Sequence, residues 1–137
     1  MSIKEIFNQT KTIAVIGCSS RTYRTSYQIS AYLQKEGFNI IPVNPNEEAV
    51  LGQTAHPAMS HLPNDVKVEM ALIFRNRRYT EEMVKQVINW TETTGQKPVI
   101  WTQLNVSSPG AKQLAEDYGL TYVENRCAMV EHRKINS

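Results

Sequence analysis

Cysteine is scarce: Cys18 and Cys127 are the only two in 137 residues. Two thiols cannot build a disulfide scaffold, so a reducing, cytoplasmic setting is expected. Long apolar runs are missing too. None approaches the roughly 18 residues of a membrane span, and Met1-Ser2-Ile3-Lys4-Glu5-Ile6-Phe7 lacks the apolar stretch of a secretory signal. Charge of one sign is nearly balanced, with a net charge of +2 and no basic tail or interleaved aromatic run, which argues against a nucleic-acid partner. There is no internal repeat, low-complexity tract or linker. The hydrophobic share of 41% is enough for one packed core, and a single domain over residues 1–137 is expected.

What the chain does have is an alternation of short apolar runs with helical patterns. Thr12 to Gly17, Phe38 to Val43, Met70 to Phe74, Pro98 to Trp101 and Leu120 to Val123 read as buried strands. Helix signals fall between them. Ser2-Ile3-Lys4-Glu5 and Thr25-Ser26-Tyr27-Gln28 have the spacing of capping boxes. Thr80 is expected to cap a helix with the stripe Met83, Val84, Val87, Ile88, closed by Gly95. Ser108-Pro109 opens another, with Ala111, Leu114, Ala115 and Tyr118 as its buried face. Residues 46–65 are less regular and are expected to wrap a sheet edge, and a short helix is expected after Arg126. The pattern predicts an α/β fold, a doubly wound sheet of about five mainly parallel strands with helices on both faces.

Right-handed crossovers put every strand's C-terminal end on one edge, where ligands of such folds bind. That edge carries Gly17, Cys18, Ser19 and Ser20, then Val43, Asn44 and Pro45, then Phe74 and Arg75, then Trp101 and Gln103. The loop from Gly17 to Arg24 precedes a helix N-terminus, whose free N–H groups and positive dipole end suit an anion. Arg21, Arg24, Arg75, Arg77 and Arg78 concentrate positive charge there. Cys18, near that terminus and Arg21, reads either as a thiol of lowered pKa or as a small residue beside a ligand. Trp101 reads as core or as a pocket wall, and Gln103 offers a donor and an acceptor to a base or an amide.

Several signatures are absent. A dinucleotide fingerprint would need glycine at positions 19 and 22, which hold Ser19 and Thr22, and an acid where Asn44 stands. No Gly-Lys-Ser or Gly-Lys-Thr of a P-loop occurs. His56 and His61 are five apart around Pro57, a poor metal pair, and no catalytic constellation emerges.

The series Ile16-Gly17-Cys18-Ser19, Arg24-Thr25-Ser26-Tyr27, Ile41-Pro42-Val43-Asn44-Pro45, Leu51-Gly52, Phe74-Arg75, Trp101-Thr102-Gln103-Leu104, Ala115 to Leu120 and Arg126-Cys127 resembles the small single-domain CoA-binding proteins. Their domain is similar to the CoA-binding domain of the succinyl-CoA synthetase alpha subunit. The resemblance implies a Rossmann-like fold and coenzyme A or an acyl-CoA as ligand. It implies that Gly17, Cys18, Ser19 and Ser20 lie against the pyrophosphate, with Arg24 and Ser26 on the helix approach. Val43, Asn44 and Pro45 match the turn on the adenosine side, and Phe74, Arg75, Trp101 and Gln103 match other edge positions. Cys18 stands where that family usually has Ala, and Asn105 where it usually has Gly. The first substitution suggests a mixed disulfide with CoA; the second is tolerable because Asn accepts positive φ. The expectation is a binding protein rather than an enzyme. A nucleotide-dependent oxidoreductase, a CoA-transferring enzyme and a CoA-sensing regulator are the alternatives. Homodimerisation is compatible with the sequence and not decided by it.

Overall fold

A computed structural model describes residues 1–136. In chain order the elements are α1 (Ile3–Gln9), β1 (Thr12–Ile16), α2 (Thr25–Lys35), β2 (Asn39–Val43), β3 (Ala49–Val50), β4 (Gln53–Thr54), β5 (Met70–Ile73), α3 (Thr80–Thr94), β6 (Val99–Thr102), α4 (Pro109–Asp117), β7 (Tyr122–Val123) and α5 (Ala128–Ile135). Five strands form one parallel sheet in the order β2-β1-β5-β6-β7, the Rossmann-like arrangement. Residues 46–65 hold a hairpin of β3 and β4 and a 3-10 turn at Met59–His61. The hairpin loop is Leu51-Gly52, both at positive φ, as a two-residue turn requires.

The period of two along each strand divides the core. Ala14, Ile16, Ala71, Ile73 and Ile100 face one side, where Val84, Val87 and Trp90 of α3 and Ala111 and Ala115 of α4 cover them. Ile13, Val15, Met70, Leu72 and Trp101 face the other, against Ile6 and Phe7 of α1, Ile29 and Leu33 of α2 and Ala128 of α5. His132 of α5 is buried there, edge-on to Phe7 and Phe38, with Nδ1 2.8 Å from the Tyr32 hydroxyl.

Local signals set most helix ends. Ser2 and Glu5 make the expected capping box, Ser108 caps α4 with Pro109 in its first turn, and Gly95 ends α3 at φ 76°. Three expectations need correction. Thr25 and Gln28 form no box: α2 starts at Thr25 without a side-chain cap, and Gln28 Nε2 donates instead to the Thr22 carbonyl. Thr80 is the first residue of α3 rather than its cap, and its hydroxyl donates to the buried Val106 carbonyl at 2.6 Å. Tyr118 follows the end of α4 and is exposed.

Candidate functional site

Strand order reverses between β1 and β5, so a cleft opens past their C-terminal ends. The ladder continues there through Gly17 N–H to the Val43 carbonyl and Phe74 N–H to the Ile16 carbonyl. Gly17 sits at φ 87°, and a Cβ on it would fall 2.7 Å from the Phe74 carbonyl oxygen. Only glycine permits that turn with the chains so close.

The loop that follows is held by its own bonds. Ser19 N–H donates to Ser26 Oγ at 3.1 Å, Ser20 N–H to Glu47 Oε2 at 2.7 Å, and Arg21 N–H to Ser19 Oγ at 3.1 Å. Donors expected to be free are therefore engaged by these three side chains, and Arg24 N–H donates to the Arg21 carbonyl at 3.0 Å. The first turn of α2 is different: no side chain caps it, Thr25, Ser26 and Arg24 line the cleft, and a helix start carries free N–H groups and a positive dipole end. Asn44 ties the two loops together, donating from Nδ2 to the Cys18 carbonyl and accepting at Oδ1 from Asn46 N–H. Gly17, Ser19, Ser20, Arg24, Ser26, Asn44 and Phe74 all line this cleft, of about 650 Å³.

A second cavity of about 190 Å³ shares Gly17 with the first. Val43, Pro45, Pro57, Ile16 and Met83 give it apolar walls, and Arg75 and Gln86 its polar groups. Arg75 Nε is buried without a hydrogen-bond partner among the described residues, while its guanidinium lies 4.8 Å from the centre of the Tyr79 ring. Arg77 and Arg78 are turned to local partners, the Ser107 carbonyl and the Tyr79 hydroxyl.

Three predicted residues have side chains elsewhere. Cys18 is fully buried in the α1–α2–α5 side of the core, its Sγ 3.6 Å from Ser30 Oγ. Burial pushes its thiol pKa up, not down, which corrects the reading of a reactive thiol and removes the basis for a mixed disulfide. Trp101 is fully buried against Phe7 and donates from Nε1 to the Arg126 carbonyl, so it is no pocket wall. Gln103 is buried with its Oε1 accepting from Ala128 N–H at 2.7 Å, which caps α5 and turns the side chain to the helix start rather than into the cleft.

Asn105 has φ 63°, as its place in a glycine position required. Sequence reasoning missed Glu47, Met83, Pro57 and Gln86. Met83 and Gln86 are one helical turn apart on α3, directly after the β5 edge, and that spacing was the available signal. Ser20 N–H holds the Glu47 carboxyl below the usual carboxylate range. A larger groove, about 1270 Å³, lies by β7 and the start of α5 and contains none of the loop residues.

Residues 11–133 match the CoA binding domain family. The chain is 33% identical over 130 residues to the uncharacterized protein YneT of Bacillus subtilis strain 168, covering 95% of this chain and 91% of that protein. A solved structure of a hypothetical protein from Pyrococcus horikoshii OT3 is 34% identical and superposes with a TM-score of 0.88, covering 98% of this chain and 90% of that one. An acetate–CoA ligase (ADP-forming) II of Archaeoglobus fulgidus is 35% identical over 65 residues, which are 46% of this chain and 9% of the ligase.

Proposed function

The chain belongs to the CoA binding domain family, and on that premise we propose that it binds coenzyme A or an acyl-CoA in the paired cavities at the β1–β5 reversal, without carrying out chemistry on it. The observation that carries this reading is the uncapped start of α2, flanked by Arg24, opening on the cleft. A diphosphate seated there gains backbone N–H donors, a dipole end and charge-assisted bonds. The adenine fits the smaller cavity, whose walls are Val43, Pro45, Pro57 and Met83 and whose polar groups are Arg75 and Gln86. Arg75, with a buried Nε that lacks a partner among the described residues, is the group best placed to gain from an added acceptor.

The non-catalytic part of this proposal draws its support from the make-up of the cleft lining. The cleft offers one carboxylate, Glu47, and neither histidine nor thiol among its lining residues. Asn44, in place of the acid that grips a free ribose diol, suits a ribose that bears a phosphate.

The test is a thermal-shift titration with CoA, against NAD, NADP and ATP. At ligand near 100 times Kd, stabilisation is about 2.7 kcal/mol, a Tm rise on the order of 9 °C for a chain of this length. CoA is expected to give it and the comparators much less. Arg24→Ala and Arg75→Ala are expected to weaken CoA binding by about 1–3 kcal/mol each. A shift with NAD or NADP and none with CoA overturns the reading.

A further inference from the structure

Ser20 N–H, in the loop that closes over the cleft, already has an anion on it. We propose that Glu47 is a resident counter-anion of the phosphate site, which an incoming diphosphate must displace, so that it sets how strongly anionic a ligand has to be. This rests on the phosphate placement proposed above.

Three observations support it. The Glu47 carboxylate lines the same cleft as Arg21 and Arg24 and accepts from Ser20 N–H at 2.7 Å, the shortest of the three bonds from loop N–H groups to side chains. The other two acceptors, Ser26 Oγ and Ser19 Oγ, are neutral hydroxyls belonging to the loop and its helix. Glu47 comes instead from the β2–β3 connection, where Glu47 N–H donates to the Asn44 carbonyl at 3.3 Å and Asn44 Oδ1 accepts from Asn46 N–H. It is thus a charge brought in from a separate segment, of the same sign as a phosphate and at a donor a phosphate would use. Two anions cannot share one N–H, and like charges held side by side repel. Ligand binding therefore exchanges one anion for another. A ligand with several charges wins that exchange more easily than one with a single charge.

Glu48 supplies the control. It has the same charge one residue on and does not line the cleft. Calorimetric titration of wild type, E47Q and E48Q uses CoA and, independently, inorganic pyrophosphate. E47Q is expected to bind both roughly tenfold more tightly than wild type, with E48Q within about twofold. E47A, which removes the acceptor altogether, is expected to match or exceed E47Q. Equal gains in E47Q and E48Q overturn the proposal in favour of bulk charge. Weaker binding by E47Q also overturns it, since Glu47 would then hold the ligand. If CoA binds no variant while pyrophosphate keeps the expected order, the counter-anion stands and the CoA reading falls. If neither probe binds any variant, both fall.

Discussion

Gly17 shows how one residue fixes the geometry of the site. Its φ of 87° and the 2.7 Å between a would-be Cβ and the Phe74 oxygen leave no room for any side chain. Gly17→Ala is expected to destabilise the protein by about 1–3 kcal/mol, a Tm fall of roughly 4–10 °C in a melt followed by circular dichroism. A Tm within one degree of wild type would mean that β1 and β5 can part without penalty. At this scale the sequence was a partial guide. Glycine and serine after a buried strand announced the loop, and arginine announced the anion. Side-chain direction was not legible. The strand-end rule places Trp101 and Cys18 at the right edge, but the two-residue period turns Trp101 into the face shared with Leu72. Cys18 follows it into the same side of the core. Glu47 was not legible because its partner, Ser20, is 27 residues away.

Among elements, α5 depends on the site's own edge. Its cap residue, Cys127, makes no side-chain capping bond. The acceptor comes from Gln103, just past β6, through Oε1 to Ala128 N–H. Gln103→Ala is expected to destabilise by about 1 kcal/mol, the usual effect of losing a cap, and to raise amide hydrogen exchange in residues 128–135 before that of β1. Unchanged exchange there would show that α5 is held by packing alone. The contrast among caps explains what could be read from sequence. Ser2 and Ser108 bond within three residues, so local spacing revealed them. Thr80 has an acceptor 26 residues away in Val106, and a buried carbonyl in need of a donor outweighs a local cap. The central strands β1, β5 and β6 were visible because strands covered on both faces must be apolar nearly throughout, whereas β7, with Tyr122 half-buried, gave the weakest signal.

The whole molecule is a sheet with a separate apolar layer on each side, and each layer contains one tryptophan: Trp90 with α3, Trp101 with α1, α2 and α5. The two indoles are differently held. Trp101 Nε1 has the Arg126 carbonyl at 2.8 Å, while Trp90 Nε1 is buried with no partner among the described residues. The molecule therefore contains two fluorescent reporters of its own, one per layer. Trp90→Phe leaves emission from the α1–α2–α5 layer, and Trp101→Phe leaves emission from the α3–α4 layer. Because both layers rest on the same five strands, each single-tryptophan variant is expected to give a urea curve that overlays its own far-ultraviolet dichroism curve. Trp101→Phe, which strands the Arg126 carbonyl, should have the lower midpoint. Fluorescence that changes ahead of dichroism in either variant would show that one layer can melt from the sheet while the other stays in place.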